Sequence, residues 1–171
     1  AHVASVADVR PLTTTWHPLI DPLAEACWPG RLTLVVGAAA AVPKEATGGR
    51  STIAIRVPQH PVAQALLEAF GGPLSAPSAN RSGRVSPTTA DHVAQDYADV
   101  AAAKDLLVLD GGMCHTGIES TVLDLTTPLP RILRLGSVSV DTLREVVGPL
   151  AEEDIPDHQT HAPGTAQRHY A

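Results

Sequence analysis

Short runs of aliphatic and β-branched residues recur along the chain and constrain its fold more than any other feature. Each run has the length of a β-strand and is bounded by turn-forming residues. These predicted strands cover residues 32–36, 52–57, 106–109, 121–125 and 132–135, with a shorter one at 74–76. Because helical segments are interspersed with them, the sequence predicts an α/β or α+β domain with a mixed sheet.

Apolar residues at helical spacing, proline in a first turn and glycine or proline at segment ends mark the predicted helices. They cover residues 19–27, 61–70 and 138–147, and one more runs from a cap at Thr88 or Thr89 to residue 96. The stretch between the first two strands carries Pro43, Gly48 and Gly49, which predicts a loop.

Length and composition indicate a single domain. The 171 residues suit one compact core, which we expect to end at residue 150. Residues 151–171 turn acidic and then rich in His, Pro and Gln without an apolar period, which is typical of a linker. No apolar run approaches the length of a membrane-spanning helix and no signal-peptide pattern is visible, so a cytoplasmic location is expected.

Charge and cysteine content argue against two classes of protein. A net charge of −6 disfavours a chain-wide electrostatic grip on nucleic acid, although a local basic pocket is compatible with it. Cys27 and Cys114 are far apart and form no CxxC pair, so neither a disulfide framework nor a zinc site is predicted.

The segment 75–87 combines hydroxyl groups, an amide and the guanidinium groups of Arg81 and Arg84 between small residues. Small residues allow close backbone approach, and hydroxyl and N–H groups donate to phosphate oxygens, so the segment is suited to hold an anion. It contains no Walker-type phosphate-binding pattern, and a plain surface loop has the same composition.

The segment 111–121 is a glycine-bounded loop that leads Ser120 and Thr121 into a predicted strand. This hydroxyl pair either binds a polar ligand or serves as a strand start, and local sequence does not separate the two. Ser120 lacks a nucleophile-elbow motif and a clear histidine partner, so hydrolase chemistry is weakly supported.

Arg56 and Arg134 interrupt otherwise apolar predicted strands. Strand alternation turns them either to solvent or into a cleft. In a cleft, their planar guanidinium groups suit a carboxylate or a phosphate.

Several segments, in order, together resemble the YrdC family of threonylcarbamoyl-AMP synthases, from about residue 2 to residue 147. They are residues 27–33 (Cys-Trp-Pro-Gly-Arg-Leu-Thr), 51–58, 75–83 (Ser-Ala-Pro-Ser-Ala-Asn-Arg-Ser-Gly), 117–121 and 132–136. The tail 162–171 resembles the linker that leads to a smaller C-terminal domain in the long form of these enzymes. The resemblance implies a twisted mixed sheet flanked by helices around a concave site, in a YrdC-like catalytic domain at residues 1–150 with an interdomain linker at 151–171.

The same resemblance implies a reaction. The family makes threonylcarbamoyl-AMP from L-threonine, bicarbonate and ATP and releases pyrophosphate, and the product serves N6-threonylcarbamoyladenosine formation at tRNA position 37. No covalent nucleophile is expected, and Mg²⁺ is expected on the phosphates although no carboxylate cluster marks a metal site.

Motif positions imply two groups of binding residues. The expected threonine contacts are His2, Arg56, Ala76 and Ser120. The expected ATP contacts are Thr52, Ser78, Ser86, Arg134, His169 and Tyr170.

The chain departs from the family pattern in three places. Family members carry a Thr-Glu-Thr-x-Tyr-Gly segment and a Lys-x-Arg motif that contact substrates, and neither precedes His2 here. Little or no synthase activity is therefore expected of this chain alone. Arg31 replaces a usual proline, and residues 165–167 replace the commoner Met-Lys-Tyr of the linker.

Two alternative functions are considered. One is a YrdC-like module that binds double-stranded RNA or tRNA without catalysis, against which the acidic balance counts. The other is the YrdC-like module of a carbamoyltransferase, which the tail at 162–171 disfavours.

Overall fold

The structure is a computed structural model that describes residues 1–81, 85–102, 105–114 and 117–151. Its strands are β1 Leu32–Gly37, β2 Thr52–Ile55, β3 Thr121–Asp124 and β4 Arg131–Arg134. A 3₁₀ helix at Ala7–Leu12 precedes the α-helices, which are α1 Ile20–Cys27, α2 Lys44–Thr47, α3 Pro61–Phe70, α4 Ala90–Asp96, α5 Ala98–Ala102 and α6 Val140–Val147.

The four strands form one mixed sheet in the order β2-β1-β3-β4. β1 pairs with β2 antiparallel and with β3 parallel, and β3 pairs with β4 antiparallel. The predicted mixed sheet flanked by helices is thus confirmed. None of the helices in the described part of the chain is long and apolar enough to cross a membrane.

The two faces of the sheet bury different side chains because successive strand residues point to opposite sides. Leu34 of β1 pairs with Ile55 of β2 and with Leu123 of β3, and all three lie in the main core with α1 and α6. The opposite face carries a smaller apolar cluster around Val35 and Val122. This second face holds the site described below.

The first residues of the chain extend the sheet beside the end of β2. His2 forms a parallel bridge to Arg56 and an antiparallel bridge to Leu74. The His2 N–H donates to the Leu74 carbonyl at 2.7 Å, and the Leu74 N–H returns a bond of 3.0 Å. The strand predicted at 74–76 is therefore reduced to a single bridge.

The predicted threonine cap of α4 and the predicted glycine end of α3 are both present, and α6 has a side-chain cap that was not predicted. The Thr89 hydroxyl accepts a hydrogen bond from the His92 N–H at the start of α4, and Ser139 caps α6 in the same way through the N–H of Thr142. Gly71, with φ of 72°, ends α3 in the left-handed region where glycine is favoured.

One predicted strand is wrong and three short helices were not predicted. Residues 106–109 pair with no strand among the described residues, and Leu107 is 82% exposed, so this apolar run finds no partner to bury it. The helix at Ala7–Leu12, α2 and α5 span six residues or fewer, too short for an apolar period to develop. α2 replaces part of the loop predicted between β1 and β2.

We expect Leu34→Ala to lower the free energy of unfolding by about 2–5 kcal/mol, because the side chain is 1% exposed at the sheet centre and its removal leaves a cavity. Leu66→Ala on α3 is the matched control, since Leu66 is 44% exposed. Urea unfolding of both variants measures the difference. Equal losses of stability would contradict this description of the core.

Candidate functional site

A cavity of about 400 Å³ opens on the second face of the sheet. It gathers six of the residues that the sequence predicted for binding, namely His2, Arg56, Ala76, Ser78, Ser120 and Arg134. All four predicted threonine contacts are among them. Segments distant in sequence thus meet at one place, as a binding site requires.

The other predicted ATP contacts are placed differently. Ser86 lies beside the cavity, where its hydroxyl donates to Oε1 of Glu119, a lining residue, at 3.3 Å. Thr52 is not among the lining residues and pairs with Gly37 at the far end of β2. His169 and Tyr170 lie outside the described residues.

Arg56 directly follows β2 and continues its alternation into the cavity, since its neighbours Ile55 and Val57 are buried in the core. Its Nε donates to the Gly30 carbonyl at 2.7 Å. Gly30 is required there because a Cβ would collide with the carbonyl oxygen of Cys27. The Trp-Pro-Gly motif therefore orients Arg56.

The electrostatics of Arg56 favour an anion. Burial lowers the pKa of its guanidinium, and the cations of Arg31 and Arg134 lower it further. Among the residues that the structure describes, no carboxylate forms an ion pair with Arg56. A partly buried guanidinium that lies near other cations and forms no ion pair with a described carboxylate is stabilised by a carboxylate or phosphate ligand.

Arg134 reaches the same cavity through a β-bulge. Val122 of β3 pairs with Arg134, whereas the next residue, Leu123, pairs with Ile132, so β4 carries one extra residue at position 133. Plain alternation would turn Arg134 to the core side with Ile132, but the bulge turns it to the cavity.

The Arg134 guanidinium is held by the residues that precede β3. Its Nε donates to the Ser120 carbonyl at 3.1 Å, and Nη2 donates to the Ser120 hydroxyl at 3.0 Å. Its Nη1 forms an ion pair with Glu119. Gly136 packs against the backbone of residues 119–121 so closely that a Cβ would collide with it.

Sequence reasoning missed two polar residues of the cavity wall, Thr33 and Glu119. The hydroxyl groups of Thr33 and Ser120 are 2.8 Å apart. Thr33 is a polar residue between two leucines of β1, and this position was the sequence signal that could have identified it. Glu119 is the acidic residue of the 117–121 motif, but its pairing with Arg134 depends on the bulge.

Within the described part of the chain, no proton-accepting base contacts the Ser120 hydroxyl. That hydroxyl contacts the hydroxyl of Thr33 and the guanidinium of Arg134, and a guanidinium donates hydrogen bonds without accepting them. The expectation that no covalent nucleophile operates remains a prediction. Within the described ranges, no group of three or more His, Cys, Asp or Glu side chains is arranged to hold a metal ion.

The loop that follows Leu74 is held at Arg81. The Arg81 Nη2 pairs with Asp99 at 2.5 Å and its Nε donates to the Asp96 carbonyl at 2.8 Å, and the suitability of the segment 75–87 for an anion stays a prediction. Arg81 therefore ties the loop to α4 and α5. Arg84 lies outside the described residues.

His2 is uncharged at neutral pH. Its burial lowers the pKa of the imidazole to about 4, and the Arg56 cation and the chain's amino group add to the effect. A neutral imidazole offers the cavity one hydrogen-bond donor and one acceptor.

The His2 pKa gives a pH prediction. The unfolded chain takes up the His2 proton at about pH 6.5, whereas the folded chain takes it up only near pH 4, so stability falls as the pH drops through this window. We expect His2→Gln to lose less stability than the wild type between these values. Urea unfolding from pH 7 to 4, with a proton NMR titration of His2, measures both. An imidazole that titrates near 6.5 in the folded protein would contradict the burial described.

Comparison with known proteins gives consistent matches. The sequence profile of the Sua5/YciO/YrdC family, described as telomere recombination, matches residues 1–136. The threonylcarbamoyl-AMP synthase of Pyrococcus abyssi is 39% identical over 99% of this chain and 50% of the relative's length. That of Bacillus subtilis is 37% identical over 99% of this chain and 49% of its own length. The chain thus spans about half the length of these relatives.

A solved structure extends the comparison to the fold. The crystal structure of Pyrococcus abyssi Sua5 complexed with L-threonine superposes with a TM-score of 0.88 at 37% identity, covering 99% of this chain and 50% of that protein. The family agrees with the one that the sequence motifs indicated. On the match over residues 1–136, the chain belongs to the Sua5/YciO/YrdC family.

Proposed function

We propose that this chain carries the threonine- and ATP-binding domain of an L-threonylcarbamoyladenylate synthase. Such an enzyme makes threonylcarbamoyl-AMP from L-threonine, bicarbonate and ATP and releases pyrophosphate. The observation that carries the proposal is the Arg56 guanidinium, which has no carboxylate partner among the described residues and faces a cavity with Ser120 and His2. Relatives named threonylcarbamoyl-AMP synthase and the threonine complex of Pyrococcus abyssi Sua5 support it.

Threonine fits the groups around Arg56. The guanidinium pairs with the amino acid's carboxylate, because a planar fork and a carboxylate form two parallel hydrogen bonds. Neutral His2 accepts a hydrogen bond from the threonine ammonium without repelling it. Ser120 offers a hydroxyl to the remaining polar groups of the ligand.

ATP occupies the side of the cavity around Arg134. Arg134 pairs with phosphate oxygens, and the hydroxyl groups of Ser78 and Ser86 donate to them. The positions of Arg134 and Ser78 in the cavity wall support this assignment. The roles of Thr52, His169 and Tyr170 as further nucleotide contacts rest on the motif resemblance alone.

The chemistry requires positioning more than covalent catalysis. The threonine ammonium first loses a proton to solvent. The free amine then adds to the carbon dioxide that bicarbonate releases, and the second N–H proton passes to solvent as the carbamate forms. A carbamate oxygen attacks the α-phosphate, and the bond to the departing pyrophosphate breaks. Holding the carbamate and the phosphate in line supplies much of the rate, and the Arg134 cation offsets charge in the transition state. Mg²⁺ on the ATP phosphates would offset part of their negative charge.

The product is a mixed anhydride, which is a reactive acyl donor. In this proposal it passes in the cytoplasm to the machinery that forms N6-threonylcarbamoyladenosine at position 37 of tRNA. The alternative of a double-stranded RNA- or tRNA-binding module is opposed by the net charge of −6. The alternative of a carbamoyltransferase module shares the fold and is separated from the synthase by its substrate, carbamoyl phosphate.

We expect Arg56→Ala to weaken threonine binding and Arg134→Ala to weaken ATP binding, each by about 1.5–3 kcal/mol, because each removes charge-assisted hydrogen bonds. Calorimetric titration of the full chain with each ligand measures both affinities. Arg144→Ala is the matched control, since this side chain is 59% exposed on α6. If both site variants left both affinities unchanged, the assignment would be wrong.

The RNA-binding alternative makes a different prediction. Titration with tRNA at two salt concentrations should show weak binding, because the chain has few cations to displace counterions. Tight binding that falls steeply as salt rises, together with no affinity for ATP or threonine, would favour the RNA-binding module.

A further inference from the structure

Glu119 is the one carboxylate among the described residues that line the cavity. Its side chain is 21% exposed, and it directly precedes Ser120. The backbone at this position is fixed, because the Glu119 carbonyl accepts hydrogen bonds from the N–H of Ser137 at 3.2 Å and from its hydroxyl at 3.3 Å. A carboxylate is unexpected in a cavity suited to anions, because it repels an anionic ligand.

The contacts of Glu119 supply an explanation. Its carboxylate forms an ion pair with Nη1 of Arg134 and accepts a hydrogen bond from the hydroxyl of Ser86 at 3.3 Å. Arg134 and Ser86 are two of the groups that the proposed function gives to the ATP phosphates. Carboxylate and phosphate oxygens use the same donors with the same geometry, so both cannot hold these groups fully at once.

We propose that Glu119 is an internal competitor of the ATP phosphates. Its carboxylate holds Arg134 and Ser86 while the cavity is empty, and the phosphates take its place when ATP binds. This inference rests on the proposed function, since ATP is its ligand. Nucleotide binding is then an exchange of one anion for another, and its affinity is lower than the donors alone would give.

The exchange needs only side-chain rotation. Gly136 packs against the backbone of residues 119–121, and the Ser137 N–H donates to the Glu119 carbonyl, so these contacts hold the backbone in place. The carboxylate therefore moves by rotation about the side-chain bonds of Glu119. The like charges of carboxylate and phosphate repel each other at short range, which drives the carboxylate away from Arg134 as the phosphates arrive. A ligand without phosphates leaves the Glu119 contacts in place.

The test is Glu119→Gln, which keeps the size of the side chain and removes its charge. We expect the variant to bind ATP about tenfold more tightly than the wild type in calorimetry of the full chain, because a repelling charge beside the phosphates is gone. Adenosine affinity should not change. Glu68→Gln, at an exposed position of α3, makes the same change in net charge and should leave ATP affinity unchanged.

The possible outcomes separate this inference from the proposed function. Equal or weaker ATP binding by Glu119→Gln, with loss of ATP binding in Arg134→Ala, overturns the inference and leaves the function standing. Weaker binding only when Mg²⁺ is present assigns Glu119 to the metal and also overturns it. If neither the wild type nor Glu119→Gln binds ATP, both fail. Glu119→Ala has the same expected direction and tests the inference if the glutamine variant folds poorly.

Discussion

The parallel pairing of β1 with β3 is the interaction on which the site depends. It joins Leu32 to Thr121 and Leu34 to Leu123, and thereby brings together parts of the chain that are far apart in sequence. β2 lies on one side of this pair and β4 on the other. β4 carries Arg134 and β2 leads directly into Arg56, so the positions of both guanidinium groups depend on the register of the central pair.

Much of the fold follows from local sequence. The strands at 32–36, 52–57, 121–125 and 132–135 were predicted from their aliphatic and β-branched runs, and the structure buries these runs on at least one face. The run at 106–109 has the same composition and forms no strand in the structure. The composition of a segment shows that it can form a β-strand. Whether a neighbouring strand is available to pair with it depends on the whole fold.

The candidate site was predictable to a similar degree. Strand alternation alone predicted that Arg56 faces either solvent or a cleft. The resemblance to a known family favoured the cleft. Glu119 could not be found this way, because its role arises from a contact with Arg134 that no spacing encodes. Net charge bears on nucleic-acid binding but did not locate the site, since a chain with an overall charge of −6 still places Arg56 and Arg134 in the wall of one cavity.

The bulge in β4 has a consequence for how the cavity is built. In a regular strand, neighbouring residues face opposite ways, so a strand that contributes an apolar surface to one face contributes its next side chain to the other. Here Leu133 and Arg134 both lie on the side of Val122. One strand therefore places an apolar side chain and a cation on the same side of the sheet from consecutive positions. Burying apolar side chains on the face that carries the cation lowers the local dielectric constant, which strengthens the attraction of the cation for an anion.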